Sequence, residues 1–256
     1  MTQPAQNQCR FDMPGWMIAV AAAAAFLATF NETFLNVAFT TIMKSFGVNV
    51  GTVQWLTTGY LLVAVVFVPV ANVLYHRYPT RNLFVAVVAI MVAGSIVGAL
   101  APSFSVLLIG RLMQAIGTGL LAPISMNITL AVSPREKLGL NMGIMVAMTT
   151  LGPSLAIVLS GTILTFAPWT VLMWVFGGLA LLVMLAGAFI LRTVADLERP
   201  TVDALSFVLV AVGLVGLLYG VTAVFDGSVA VAAGSVALGV VGLWGFVVRP
   251  PVDCSR

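Results

Sequence analysis

Apolar and polar positions along this chain alternate in long blocks rather than residue by residue. Eight apolar blocks, at 16–40, 54–75, 82–101, 105–131, 140–166, 170–191, 204–224 and 229–248, are each long enough for a helix to cross a hydrocarbon layer of about 30 Å. The polar interruptions between them are short. A helix satisfies its backbone hydrogen bonds internally, as lipid requires, so the pattern predicts an all-α polytopic membrane protein. One interruption is longer and more charged than the rest, Arg192 to Asp203 (RTVADLERPTVD), and it parts the first six blocks from the last two. The expected organisation is a tail at 1–15, a six-helix bundle at 16–191, a linker at 192–203, two additional transmembrane helices at 204–248 and a tail at 249–256.

Charge orients this arrangement. Alternate loops place Arg10, Arg77, Arg81, Arg135, Lys137, Arg192, Arg199, Arg249 and Arg256 on the side of both termini and Lys44 on the other. Excess Lys and Arg marks the cytoplasmic side, so both termini are expected in the cytoplasm of a multi-pass protein of the inner or plasma membrane. The first block, with its run Ala21 to Ala25, has the composition of a signal peptide, but the blocks behind it favour a first transmembrane helix.

Composition narrows the function. With 61% hydrophobic and 7% charged residues, an ordinary soluble domain is excluded and the lipid bilayer is the expected surrounding. The net charge of +3 is scattered singly rather than gathered on a face, so no nucleic-acid partner is expected. Cys9 and Cys254 fall outside the apolar blocks on one side, and no disulfide is expected. No phosphate-binding G-x-x-x-x-G-K-[ST] run is present, and His76 is the sole histidine. The chain therefore offers neither an ATP-driven motor nor a zinc or Ser-His-Asp set, and an enzyme, cofactor or metal site is not expected.

Two apolar blocks carry a charge. In Leu107 to Pro123 (LLIGRLMQAIGTGLLAP), Arg111 lies on the order of 9 Å below the outer edge of its span if the helix begins near Ser105. A guanidinium at the centre of a span costs about 2.5–3.5 kcal/mol on insertion scales, so it needs a partner, a cavity or a route to the interface. Gln114 and Thr118 share its helical face, while Gly110, Gly117 and Gly119 admit a close neighbour. In Phe30 to Ala38 (FNETFLNVA), Glu32 and Asn36 face one way on a helix and Asn31 points about 100° round it. Glu32 falls at a depth where it can meet Arg111. A purely structural ion pair, or a protonated acid bonded to Asn36 or Thr33, is the alternative. Gly94 with Gly98, Gly139 with Gly143, and Gly216 with Gly220 are spaced for helix packing.

These segments resemble a known family. Gly110 to Gly119 is similar to the R-x-x-Q-G motif of drug:proton antiporters in the major facilitator superfamily, with Arg111 and Gln114 on its Arg and Gln and Ala115 where a Gly is usual. Gly143 to Pro153 resembles the antiporter motif of helix five, keeping Gly143, Gly152 and Pro153, with Met148, Ala156 and Ile157 where glycines are usual. NETFLNVAFTTI (31–42) and VQWLTTGY (53–60) look like the first two helices of the branch with 14 helices, which makes the last two spans its linker helices. The loop NVLYHRYPTRN (72–82) keeps Arg77 and Arg81 of the family's G-x-L-A-D-R-x-G-R-[KR] but has Asn72, His76 and Pro79 in place of Gly, Asp and Gly. The family's acidic residue of helix one falls on Asn31, and Glu32 is one position on.

The resemblance implies proton-coupled efflux of amphipathic, drug-like small molecules. It assigns Glu32, Asn31, Asn36, Arg111 and Gln114 to proton coupling or the substrate cavity, and Arg77, Arg81 and His76 to gating at the cytoplasmic loop. A complete member of the branch continues for six more helices, so this chain is expected to be an N-terminal half, as a fragment or a truncated product. The alternative is a nontransporting membrane protein, inert or associated with a separate half or another copy.

Overall fold

The computed structural model describes residues 14–191, 211–217, 219–220 and 229–248. Its helices are α1 (Pro14–Thr33), a 3₁₀ turn (Asn36–Ala38), α2 (Phe39–Phe46), α3 (Val50–Arg77), α4 (Thr80–Ala99), α5 (Phe104–Val132), α6 (Leu138–Phe166), α7 (Thr170–Ile190) and α8 (Val229–Val248). Among the described residues, six spans are long and apolar enough to cross a membrane, the first running from Gly15 through α1 and α2 to Phe46. They coincide with the first six apolar blocks, and α8 coincides with the last. Residues 211–217 and 219–220 are helical within the predicted seventh span; the rest of that span, the 192–203 linker, the 249–256 tail and both cysteines lie outside the described residues.

Local chemistry sets the helix ends. The Asn49 side chain accepts from the Thr52 amide at 2.7 Å, satisfying one of the first free N–H groups of α3. Gly47 takes the left-handed conformation (φ 64°) that closes α2, a backbone state that costs glycine nothing. Asn141 donates to Ser133 Oγ at 2.9 Å across the α5–α6 turn. Tyr78 and Pro79 alone connect α3 to α4.

The first span departs from the uniform helix expected for 16–40. Its α-helical ladder ends with Phe34 N–H to Phe30 C=O at 3.1 Å, and the chain passes through the 3₁₀ turn before α2 resumes. Glu32 and Asn36 are thus separated by the break rather than stacked one turn apart. No proline or glycine lies between Phe30 and Phe39. Side chains from other helices hold the break instead: Thr57 of α3 donates to Asn36 Oδ1 at 2.8 Å, and Arg111 of α5 donates to the Asn31 carbonyl at 3.1 Å.

The bundle is organised around α5, which packs against α4, α3 and α1, while α4 also packs on α7 and α1 on α6. Lipid tails are as apolar as these helices, so association depends on close packing rather than on exclusion from water. Small residues supply it. A Cβ built on Gly94 would lie 2.6 Å from the Gly110 carbonyl, and one on Gly110 would lie 2.8 Å from the Gly98 amide, so α4 and α5 meet backbone to backbone. Gly117 abuts Met91, and Gly119 abuts the Ala64 carbonyl of α3. Gly216 meets the Gly239 amide of α8, 2.8 Å from a Cβ built on it. The Gly139–Gly143 pair does not follow the packing expectation, because a Cβ at either position meets nothing within 4 Å. Both sit on the outward face of α6.

Aromatic rings fill the contact between α1 and α7. Phe30 and Phe34 stack on Phe176 with centroids 6.4 and 5.2 Å apart. Phe46, Phe104 and Trp169 cluster where α2, α5 and α7 meet, with Phe46 lying 6.5 and 5.6 Å from the other two rings.

Candidate functional site

Arg111 lies in the third turn of α5, about 100° round the helix from the Gly110 face that meets α4, and turns toward α1 and α3. It is wholly buried (0% exposed), so its charge does not run out to an interface. Its Nη1 donates to the Asn31 carbonyl and Asn31 Oδ1, both at 3.1 Å, and to Gln114 Oε1 at 3.0 Å. Nη1 carries two N–H groups, so one of these three contacts is shared. Hydrogen bonds to a charged group contribute about 1.5–3 kcal/mol each, which offsets an insertion cost of about 2.5–3.5 kcal/mol. The acceptors are neutral oxygens rather than a carboxylate.

Two further features favour the cation. Its Cζ sits 4.4 Å from the Tyr60 ring centroid and 5.4 Å from that of Phe34, within the range in which ring quadrupoles attract a guanidinium. It also caps the C-terminal end of α1, where the helix dipole is negative and a cation gains about 0.3–2 kcal/mol. The Asn31 carbonyl is available to it at the place where the ladder of α1 stops.

The network spreads through five helices. Asn31 Nδ2 donates to Thr118 Oγ1 at 3.1 Å, and the Tyr60 hydroxyl donates to the same oxygen at 2.7 Å. Gln114 Nε2 donates to Ser95 Oγ at 2.8 Å and approaches Met173 Sδ of α7 at 3.8 Å; Ser95 passes the chain to the Met91 carbonyl at 3.0 Å. Asn31, Tyr60, Ser95 and Gln114 are all buried. Arg111 Nε and Nη2 are buried with no hydrogen-bond partner. Together they are the side-on edge of the guanidinium, whose two parallel N–H groups match a carboxylate bidentately.

Of the residues singled out in sequence, Asn31, Arg111 and Gln114 converge here. Glu32 does not touch the guanidinium: the hydrogen bonds of Arg111 go to Asn31, the preceding residue, and Glu32 is half-buried beside the cluster. Asn36 is half-buried and engaged with Thr57. Gly152 seats α6 on α1, its Cα facing Thr29 and the Phe26 carbonyl, and Pro153 follows it inside α6. Gly143 lies away from any neighbour. Arg77 and Arg81 are exposed on the α3–α4 turn, where the His76 ring stands edge-on to Tyr75 at 5.5 Å. His76 is 16 residues from Tyr60 along α3, about 24 Å at 1.5 Å per residue. Tyr60, Ser95, Phe34 and Met173 were not singled out individually. The signal for Ser95 was a lone hydroxyl between Gly94 and Gly98; for Tyr60 it was the phenol in VQWLTTGY.

A model of the Major Facilitator Superfamily matches residues 21–252. The chain is 36% identical over 197 residues to the lincomycin resistance protein LmrB of Bacillus subtilis (strain 168), covering 77% of this chain and 41% of the relative. It is 37% identical over 209 residues to the uncharacterized MFS-type transporter YhcA of the same organism, 82% of this chain and 39% of the relative. Over 213 residues it is 31% identical to the multidrug resistance protein B homolog of Mycobacterium tuberculosis (strain ATCC 25618 / H37Rv), 80% of this chain and 38% of the relative. The chain spans about two-fifths of the length of these relatives.

Proposed function

Since the chain belongs to the major facilitator superfamily, we propose that it provides the first six-helix half and linker helices of a transporter that exports amphipathic, drug-like small molecules in exchange for protons. The observation that carries this reading is the buried Arg111, held by neutral acceptors on one edge while its side-on edge is unpartnered. Glu32 is one residue from Asn31, so a rotation of about 100° in the last turn of α1 exchanges one for the other at the guanidinium. The ionised carboxylate matches the unpartnered edge of Arg111, and the protonated acid loses that attraction. A rocking motion of α1 against α5 thereby becomes sensitive to protonation. The names of two relatives, a lincomycin and a multidrug resistance protein, support a drug-like cargo. Arg77 and Arg81, exposed at the α3–α4 turn, are assigned to the cytoplasmic side, with His76 beside them.

The test is flux. In a complete exporter containing this half, Glu32→Gln is expected to abolish transport driven by a proton gradient while leaving ligand binding in place. Unchanged pH-dependent transport in that variant removes Glu32 from the mechanism.

A further inference from the structure

We infer that Tyr60 is a positioning residue for Arg111, fixing the plane of the guanidinium so that Nη1 faces Asn31 and Gln114 and the side-on edge stays unpartnered. The functional meaning rests on the transport reading above, but the geometry does not. The buried Tyr60 ring is the nearer of the two aromatic faces to Arg111, at 4.4 Å against 5.4 Å for Phe34. Its hydroxyl is anchored rather than free, donating to Thr118 Oγ1 at 2.7 Å, and Thr118 in turn receives the Asn31 amide at 3.1 Å. Asn31 then accepts from Arg111. A closed circuit results, from Arg111 across the ring to Tyr60, through Thr118 to Asn31 and back, joining α3, α5 and α1.

The circuit separates two roles of one side chain. The ring holds the cation where no carboxylate touches it, because a π face attracts a guanidinium most strongly when both are out of water. The hydroxyl fixes the ring against α5 and sets the register of α3 to the break in α1. A tyrosine that merely filled space would do neither, and any apolar side chain of similar volume would replace it.

Ring-current shifts read this directly. With the 256-residue chain in lipid nanodiscs, arginine labelled with ¹⁵N and Arg111→Gln used to assign the signal, the Arg111 guanidinium protons are expected upfield of those of the other arginines. Tyr60→Phe should keep the upfield shift, because the ring remains, and broaden it as the lost anchor lets the ring rock. Tyr60→Leu should abolish most of it. An Arg111 signal that is unshifted in the wild type overturns the inference, even where the Leu variant fails to fold. So does a shift that survives Tyr60→Leu in a folded chain. Neither result depends on transport, so failure here leaves the flux test of Glu32 standing, and failure there leaves this circuit intact.

Discussion

At the scale of the residue, the buried charge is stabilised by geometry. A lysine at 111 keeps the charge but presents a compact ammonium on a flexible stem, without a planar edge to stack between rings or divide itself between two helices. Glutamine removes both the charge and the need to compensate it. Arg111→Lys is therefore expected to lower stability more than Arg111→Gln, by about 1–3 kcal/mol, the cost of a buried polar group left unsatisfied; denaturant titration in mixed micelles measures the difference. The opposite order would mean that charge, not shape, holds the site. Arg111 and Gln114 were legible in sequence because a cation inside an apolar block has few solutions. Which residue of α1 meets them was not legible in the apolar pattern, although the resemblance put Asn31 at the family's acidic position. Asn31 and Glu32 are adjacent, and the choice turns on a rotation of one residue that hydropathy does not record.

At the scale of the element, small residues divide into those that admit a neighbour and those that do not. Gly110→Ala places a methyl group against the backbone of α4, and overpacking of this kind typically costs about 1–3 kcal/mol. Gly143→Ala meets open space and should be neutral or gain up to about 1 kcal/mol from helix propensity. Thermal unfolding of the two variants in detergent should separate them, and equal destabilisation would contradict the packing described. The GxxxG spacing is the same on α4 and α6, and it could not distinguish them because a lipid-facing helix is as apolar as a protein-facing one. The positions of the six spans, by contrast, followed from hydropathy to within a few residues, apart from the C-terminal end of the first. The break in that span was hidden for another reason. It is held by Thr57 and Arg111, distant in sequence, and not by any helix breaker within it.

At the scale of the whole molecule, orientation is the consequence of the Lys and Arg distribution. With Cys9 and Cys254 replaced by serine, single cysteines at the exposed positions Arg81 and Lys137 should react with an impermeant maleimide only after cells are permeabilised. One at the exposed Ser103 should react in intact cells. The reverse pattern would invert the topology.

The partners of Arg111 also have an order in time. Asn31, Phe34, Tyr60 and Ser95 all precede it in the chain, Gln114 and Thr118 share its own helix, and among the described residues Met173 is the one member of the network on a later helix. Synthesis runs from the N-terminus, and early segments assemble first. When the span bearing Arg111 leaves the ribosome, the carbonyl, amide and rings that receive its charge are therefore already seated in lipid. The most expensive side chain of the bundle is delivered into a prepared place, and no step of assembly requires it to wait for a helix not yet made.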